Sequence, residues 1–323
     1  MIGRYKYKIL ALSGGVGGAK LVHGLAGLLA PEQLLIAANT GDDFTHLGLR
    51  ICPDLDTVMY TLAGIANQAT LWGVAGETWQ FMDALAAYSD ATWFNLGDRD
   101  LATHVVRSDL LNQGKTLTAV TALLSRKLGI AHPIVPMSDD PVATRVQTTE
   151  GELPFQEYFV KLKCGPVVTG FHFAGGAQAR VNPAIIALLK DPDLGGVIIC
   201  PSNPFVSVAP ILSLPGMKTC IEQAQVPVVA VTPIIGGRAV KGPAAKMMAE
   251  LGLPVSAAGI ARYYLGLIDG FVLDDIDGSE SGDISAMNIK VLSTATIMSG
   301  LDDKIRLAGE VLEFLARIAP RLS

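Results

Sequence analysis

Residues 13–20, Ser-Gly-Gly-Val-Gly-Gly-Ala-Lys, could bind the phosphate groups of a ligand. Glycine lets the backbone approach a ligand closely, and the helix predicted to start near Ala19 offers free N–H groups and a positive dipole end. The spacing is not that of a P-loop, because Ala19 and Leu21 stand where that motif has its last Gly and its Ser/Thr. It is not G-x-G-x-x-G either, because Lys20 stands where that motif has its final glycine. The alternative is a tight turn without a ligand. The candidate phosphate-binding residues are Gly14, Gly15, Gly17, Gly18 and Lys20.

Acidic residues follow the second apolar run. Asp42 and Asp43 lie in the loop after residues 34–39, and Asp54 and Asp56 lie at the start of a predicted helix. Proteins bind Mg²⁺ through one or two carboxylates together with phosphate oxygens. We therefore predict magnesium ligands among Asp42, Asp43 and Asp54; the alternative is a solvated turn. Asp54 is also expected to cap its own helix, whereas Asp56 needs that role less and is a candidate functional residue.

Polar residues also follow later apolar runs. Asp98, Arg99 and Asp100 precede a predicted helix that carries His104 and Arg107. The i,i+4 and i,i+3 spacings from Asp100 to His104 and from His104 to Arg107 place these three side chains on one face, where structural pairing is the alternative to a functional role. Two further polar loops are residues 138–141, Ser-Asp-Asp-Pro, and 201–204, Pro-Ser-Asn-Pro, which contains the candidate binding residues Ser202 and Asn203.

The apolar runs before these loops predict buried strands at 8–12, 34–39, 92–96, 196–200, 226–231 and 270–273. Segments with helical periodicity alternate with them at 19–29, 54–66, 101–112, 117–128, 184–189, 243–251 and 303–318. This alternation is typical of an α/β fold with a doubly wound, mostly parallel sheet. Because such sheets bind ligands outside the carboxyl ends of their strands, the polar loops are expected to form one cleft suited to a metal–diphosphate substrate.

One stretch departs from the α/β pattern. Residues 143–149 and 155–161 alternate polar and apolar side chains, with residues 150–152 as the turn between them. This alternation predicts a small antiparallel insertion. We therefore predict a single domain over residues 1–323 with an inserted subdomain at about 138–175, which acts either as a lid or as a dimer contact.

Composition excludes several classes of protein. Of the 323 residues, 50% are hydrophobic and 17% charged, so the chain can bury a large core. The net charge of −5 and the scattered basic residues argue against a nucleic-acid partner. No apolar run reaches the roughly 20 residues of a membrane-spanning helix, and the run after the basic N-terminus is too short for a signal peptide. The four cysteines are not spaced like the ligands of a zinc site, so we expect a cytoplasmic protein with reduced thiols.

Taken together and in order, these motifs resemble those of the 2-phospho-L-lactate transferase family of coenzyme F420 biosynthesis. The resemblance rests on residues 13–20, 53–57 (Pro-Asp-Leu-Asp-Thr), 96–104 (Leu-Gly-Asp-Arg-Asp-Leu-Ala-Thr-His), 137–141, 201–204 and 214–216, and it covers nearly the whole chain. It implies a Rossmann-like fold, a homodimer and a Mg²⁺-dependent transferase.

The resemblance also implies the substrates. The donor is a guanosine-diphosphate-activated phosphoacid, the acceptor is the deazaflavin precursor 7,8-didemethyl-8-hydroxy-5-deazariboflavin, and GMP leaves. The family pattern places the deazaflavin against Asp56 and against the position of Asn95, which is Lys in some relatives. Asp56 is the candidate base for the acceptor hydroxyl, with Asp98 and Arg99 as further catalytic candidates.

Two alternatives belong to other classes. A related branch with a similar glycine loop consists of nucleotide-sugar-binding regulators of the gluconeogenesis-factor type, which are not enzymes. The Pro-Asp-Leu-Asp and Gly-Asp-Arg-Asp loops favour the transferase over that branch. A nicotinamide oxidoreductase is disfavoured because the glycine spacing fails.

Overall fold

The structure, a computed structural model, describes residues 6–70 and 72–319. Residues 1–5, part of the N-terminal segment predicted not to be a signal peptide, lie outside the described residues. The strands, in chain order, are β1 (Lys8–Ser13), β2 (Leu34–Ala38), β3 (Phe44–His46), β4 (Leu49–Ile51), β5 (Ile134–Pro136), β6 (Ala143–Thr148), β7 (Gly151–Pro154), β8 (Val168–Ala174), β9 (Leu194–Ile199), β10 (Val228–Val231), β11 (Ile234–Ile235), β12 (Arg238–Ala239), β13 (Gly270–Leu273) and β14 (Lys290–Ser293).

Helices connect most of these strands. In chain order they are α1 (Gly15–Ala26), α2 (Pro53–Leu62), α3 (Gln80–Leu85), α4 (Asp98–Asn112), α5 (Leu117–Lys127), α6 (Pro183–Leu189), α7 (Ala209–Leu212), α8 (Met217–Gln223), α9 (Ala244–Glu250), α10 (Ala257–Tyr263), α11 (Ser281–Ser285) and α12 (Leu301–Ile318). Short 3₁₀ turns occupy Pro31–Gln33 and Asp275–Glu280, and π-helical turns occupy Glu157–Lys161 and Pro204–Val208.

The central sheet is parallel throughout. Its strand order is β14-β13-β10-β9-β1-β2-β5. Residues alternate between its two faces: Ile9 and Ala11 of β1 pack in the core that includes side chains of α1, α2 and α12, while Leu10 and Leu12 pack in the core on the opposite face. Burial on both faces explains why these strands are continuously apolar. The predicted doubly wound α/β, Rossmann-like fold is confirmed.

The insertion is antiparallel, as predicted, but one of its predicted strands is wrong. Its sheet has the order β7-β6-β8, and the predicted strand at 155–161 is helical. Phe155 stacks on Phe159 with ring centroids 5.4 Å apart, and Tyr158 is buried beside them. Apolar residues at i, i+3 and i+4 form one face of a helix, and this spacing outweighs the local alternation.

The predicted strand at 92–96 is also wrong. This segment contains no strand in the structure. Phe94 instead makes edge-on ring contacts with Phe44 and His46 of the β3–β4 hairpin, and Trp93 makes one with His46. The apolar residues of this segment are therefore explained by a small side cluster, not by the central sheet.

Within residues 6–70 and 72–319, no single helix is long and apolar enough to cross a membrane. One pair of helical segments bent by 74°, Pro204–Leu212 with Met217–Gln223, would be long and apolar enough together, by length and composition only.

Candidate functional site

The cleft lies where the sheet reverses its strand order. From β1 the chain proceeds to β2 on one side, and from β9 it proceeds to β10 on the other, so the loops after β1 and β9 diverge. Such a switch point is where open α/β sheets bind ligands. The two loops contact each other: Gly14 N donates to Ser202 Oγ at 3.2 Å. A Cβ at Gly17 would lie 2.2 Å from Pro201 O.

The glycines of residues 13–20 are explained mainly by close protein contacts. A Cβ at Gly14 would lie 2.5 Å from Ser207 Cβ, and one at Gly18 would lie 2.6 Å from Ser13 Oγ. Gly15 differs, because its φ is +63° and the space beside it is open. The four glycines therefore remain predicted phosphate-binding residues, with Gly15 as the one whose Cα faces open space.

Asp54 connects α2 to the start of α1. Its Oδ1 accepts a hydrogen bond from Gly15 N at 2.6 Å, and its Oδ2 accepts one from Asn39 Nδ2 at 2.8 Å. The expectation that Asp54 caps its own helix is wrong: α2 begins at Pro53, and its N-cap position is Cys52. Burial raises the pKa of Asp54 to about 6, against the lowering effect of the two hydrogen bonds.

Asp42 shares this buried region with Asp54. Burial raises the pKa of Asp42, and the charge of Asp54 raises it further. Asp42 Oδ1, together with the hydroxyls of Ser13 and Thr40, has no hydrogen-bond partner among the described residues. Buried polar atoms without a protein partner are uncommon in folded proteins, and these atoms are therefore candidates for binding an ion.

Asp43 turns toward a second group of charges. Its Oδ2 lies 3.3 Å from Arg50 Nη2, while its Oδ1 lacks a hydrogen-bond partner among the described residues. Burial raises the pKa of Asp43 to about 7, although the Arg50 charge opposes this. The structure thus brings Asp42 and Asp54 together and places Asp43 beside a cation. Arg50 has no distinctive motif in the sequence, and its role there was not predicted.

Asp56 forms a buried ion pair with Arg107. Arg107 donates to both carboxylate oxygens, with Nη1 at 3.0 Å from Oδ2. Burial lowers the pKa of Arg107, but the charge and hydrogen bonding of Asp56, together with Cys52 and Tyr60, more than offset burial and raise it. Arg107 Nη1 also donates to His104 Nδ1 at 3.2 Å. The i,i+3 spacing had indicated that Arg107 and His104 share a face, but the partner on α2 depends on the tertiary structure.

The same network continues to Asp100. His104 Nε2 lies 3.3 Å from Asp100 Oδ1, as the i,i+4 spacing predicts, and Tyr60 donates to that oxygen at 2.6 Å. Ligand atoms of Asp56, Asp100 and His104 lie within 4.8 Å of one another, as in a metal site. Arg107 already binds both oxygens of Asp56, however, and its positive charge disfavours a metal ion beside it.

Asp98 and Arg99 hold an extended loop against α4. Asp98 accepts hydrogen bonds from Phe81 N, Gln80 N and the Thr78 hydroxyl, and these lower its pKa, the Thr78 bond most. Arg99 Nη1 donates to Ala75 O at 2.9 Å. Their predicted catalytic roles remain predictions, since the contacts seen here are structural.

The other candidate residues are placed as follows. Asn95 is exposed beside the aromatic cluster. Ser202 accepts from Gly14 N, and Asn203 Oδ1 accepts from Phe205 N at 3.0 Å. Lys20 Nζ donates to Met298 O at 2.8 Å. Asn95, Asn203 and Lys20 therefore remain predicted binding residues without a contact that assigns them to a substrate.

The comparison with known proteins decides the family. The family model described as 2-phospho-L-lactate transferase CofD matches residues 9–294. This chain belongs to the CofD family. A phosphoenolpyruvate transferase of Streptomyces griseus is 39% identical to it over 317 residues, covering 96% of this chain and 99% of the relative. A 2-phospho-L-lactate transferase of Methanosarcina mazei is 35% identical over 305 residues, covering 94% and 99%.

The fold of this CofD-family chain also occurs in a more distant protein. A member of the UPF0052 family from Bacillus halodurans matches with a TM-score of 0.62 at 12% identity, covering 96% of this chain and 100% of the other. At that identity the match shows the fold alone. The CofD relatives are named as transferases, so the predicted membership in that transferase family is confirmed.

Proposed function

We propose that this protein transfers a phospho-acyl group from its guanosine-diphosphate-activated form to 7,8-didemethyl-8-hydroxy-5-deazariboflavin, releasing GMP, in coenzyme F420 biosynthesis. Family membership and the names of the relatives support the reaction class. The observation that carries the proposal is the buried pair Asp42 and Asp54 beside the glycine loop at the switch point. We further propose that the protein works as a homodimer in the cytoplasm.

Among phosphoacids, we propose phosphoenolpyruvate as the first donor to test. The Streptomyces griseus relative is named for that acid, whereas the Methanosarcina mazei relative is named for phospholactate. Phosphoglycerate is the third option. A pocket that hydrogen-bonds an extra hydroxyl can reject analogues without it, so competition among the three activated donors is the deciding measurement.

The residues fit Mg²⁺, the cofactor implied by the family. Asp42 and Asp54 offer carboxylate oxygens, and Asp42 Oδ1 has no other partner among the described residues. Hard cations prefer such oxygen ligands. Asp42 and Asp54 would hold the ion, with Asp43 as the third candidate. When bound, Mg²⁺ neutralises charge that develops on the phosphoryl oxygens.

In the proposed reaction, a ribityl hydroxyl of the acceptor attacks the phosphorus that bears the acid. A new P–O bond forms to the ribityl oxygen, the P–O bond to GMP breaks, and the hydroxyl proton passes to a carboxylate or to solvent. The protein's contribution is mainly positioning and charge balance. Residues 13–20 hold the phosphates, and Asp54 ties that loop to α2 through Gly15 N.

Asp56 is proposed to orient the ribityl hydroxyl. Arg107 binds both of its oxygens, yet each carboxylate oxygen can accept a further hydrogen bond. The Arg107 contacts fix the carboxylate plane. The acceptor would thus meet a carboxylate that is already held in one orientation before it binds.

The test is direct. The protein is incubated with Mg²⁺, the deazaflavin precursor and each of the three activated phosphoacids, and GMP release is followed together with the phosphorylated deazaflavin product. We expect GMP to form only when donor and acceptor are both present. Tight binding of UDP-sugars, with no GMP from any donor, would refute the transferase and favour the regulator.

A further inference from the structure

Three lysines and a histidine lie together near the carboxyl edge of the central sheet. Lys20 is on α1, Lys304 is in the first turns of α12, and Lys241 lies in the loop that follows β12. Lys304 Nζ donates to His23 Nδ1 at 3.5 Å. We name these four residues the basic cluster.

Contacts to two loops hold this cluster in place. Lys20 Nζ donates to Met298 O at 2.8 Å, just before α12 begins, and Lys241 Nζ donates to Thr70 O at 2.6 Å. Side chains on a helix lean toward its N-terminus, so Lys20 extends toward the start of α1, where residues 13–18 lie. Lys20 therefore brings one end of the basic cluster toward the glycine loop, while Lys304 contacts His23, about one turn further along α1.

The charges of the cluster are not balanced by the protein. Among residues 6–70 and 72–319, none of the three lysines forms an ion pair with a carboxylate. Lys304 is nevertheless buried, with only 7% of its surface exposed. Burial lowers the pKa of Lys241 and of Lys304, and the nearby charge of Lys20 lowers both further.

An arrangement of this kind is unfavourable without a counter-charge. Buried ammonium groups are normally paired with a carboxylate, and like charges at short range repel one another. Both costs fall when an anion enters. The cluster also complements Asp42 and Asp54 in charge, because its ammonium groups suit phosphate oxygens whereas those carboxylates suit a metal ion.

We propose that the basic cluster is an oxyanion subsite that binds the diphosphate of the donor nucleotide. Ammonium groups bind phosphate as point charges, and three of them match the several charges of a diphosphate better than the single charge of a carboxylate. The choice of a nucleotide as the source of this anion rests on the proposed function; the phosphate chemistry rests on the cluster itself.

The experiment measures binding without turnover. Calorimetric titrations of GDP, pyrophosphate and guanosine are made with the wild-type protein, with Lys304→Met and Lys241→Met, and with Lys127→Met as the control. Lys127 is exposed on α5, so its substitution removes the same charge elsewhere. We expect each cluster variant to bind GDP and pyrophosphate at least about tenfold more weakly, with guanosine binding unchanged. Lys127→Met should behave as the wild type.

Thermal unfolding separates binding from folding. Lys304→Met removes an unpaired buried charge, so we expect an unchanged or higher Tm without ligand and a smaller rise in Tm on adding pyrophosphate. Equal pyrophosphate affinity in wild type and both variants would overturn the subsite. Weaker pyrophosphate binding with unchanged GDP binding would overturn its assignment to the donor. GMP release is assayed separately. If the protein releases GMP but the lysine variants bind GDP and pyrophosphate as the wild type does, only this inference is refuted and the proposed function stands.

Discussion

Individual carboxylates in the cleft differ in whether a cation of the protein balances their charge. Asp43 faces Arg50, and Asp56 is bound by Arg107. Asp42 and Asp54 have no such cation within salt-bridge distance among the described residues. The protein thus supplies a counter-charge to Asp43 and Asp56, whereas Asp42 and Asp54 are suited to a cation that arrives with the substrate.

At Asp54 and Asp42, replacement by Asn should raise the Mg²⁺ requirement. We expect the Mg²⁺ concentration for half-maximal GMP release to rise at least about tenfold in the variant that loses a true ligand, while circular dichroism shows an intact fold. Asp90→Asn, on an exposed loop, is the matched control. If Asp42→Asn and Asp54→Asn both keep the wild-type Mg²⁺ dependence, the ion is held elsewhere.

Asp56→Asn should separate the acceptor from the donor. We expect turnover to slow by roughly 10²–10⁴ and deazaflavin binding to weaken, because an orienting carboxylate acts most strongly as the hydroxyl loses its proton. Donor affinity should stay nearly constant. Steady-state kinetics with each substrate varied in turn is the measurement.

The Arg107 pair requires a control for stability. Asp56→Asn removes the carboxylate that pairs directly with the buried Arg107, which costs about 3–5 kcal/mol. Adding Arg107→Met to the variant should recover much of the free energy of unfolding but not the activity. If the double variant regains wild-type turnover, Asp56 is a structural residue only.

Secondary-structure elements in the cleft are joined by side chains at their first turns. Asp54 of α2 accepts from the first residue of α1. Glu77 accepts from Arg99 N and Asp100 N at the start of α4, while Asp98 of α4 accepts from residues at the start of α3. Carboxylates are favoured at helix N-termini, so these contacts fix how the helices meet beneath the cleft.

Two glycines of the same loop should respond differently to alanine. Gly17→Ala places a Cβ 2.2 Å from Pro201 O, a backbone atom, and should cost about 1–3 kcal/mol by forcing the loops after β1 and β9 apart. Gly15→Ala meets open space but needs φ of +63°, so we expect about 1–2 kcal/mol from backbone strain. Urea unfolding gives both values. Only Gly17→Ala should also disturb the hydrogen bond from Gly14 to Ser202, and a cost for Gly15→Ala well above about 2 kcal/mol would contradict this expectation.

Asp98→Ala tests whether the Gly-Asp-Arg-Asp motif is structural. The substitution removes the contacts to Thr78, Gln80 and Phe81, so segment 75–97 should be cut by protease faster than in the wild type. If the contacts are the whole role of Asp98, KM should rise while kcat changes little. Turnover slowed by about a hundredfold or more, with normal protease resistance, would instead restore Asp98 as a catalytic residue.

Across the whole molecule, the parallel sheet brings distant loops to one edge. The loops after β13 and β14 are joined by Asp274, which accepts from Thr296 N at 2.7 Å, from the Thr296 hydroxyl at 2.8 Å and from Ile276 N at 3.2 Å. Burial alone raises the pKa of Asp274, but these hydrogen bonds outweigh burial and hold the pKa below its ordinary value.

The Asp274 contacts should make the fold sensitive to acid. A carboxyl whose pKa is lower in the folded state stabilises the fold above its unfolded pKa of about 3.9, and this contribution is lost as the pH falls through the folded value. Asp274→Asn should therefore lose on the order of 1 kcal/mol at pH 7 and show a shallower fall in Tm below pH 4. Thermal unfolding between pH 2.5 and 7 measures both, with Asp193→Asn as the exposed control. Parallel acid curves for wild type and Asp274→Asn would contradict the prediction.

Local periodicity determined much of the architecture in advance. The strands at 8–12, 34–39, 196–200, 226–231 and 270–273 were predictable because a strand buried on both faces is continuously apolar. The polar loops at their carboxyl ends followed from the geometry of parallel sheets, and the ordered motifs indicated the family. The predictions of strands at 92–96 and 155–161 were wrong for the same reason. A short apolar run does not distinguish a strand from a side-chain cluster or a helical turn.

Only the tertiary structure decided how charges are paired. Asp54 and Asp56 are two residues apart in the same helix, yet Asp54 turns to α1 and Asn39 while Asp56 turns to Arg107 on α4. Likewise, Lys20, Lys241 and Lys304 are far apart in sequence and meet only where their loops and helices pack. Sequence spacing reports neighbours within one element, whereas pairing across elements depends on how the helices and loops pack around the sheet.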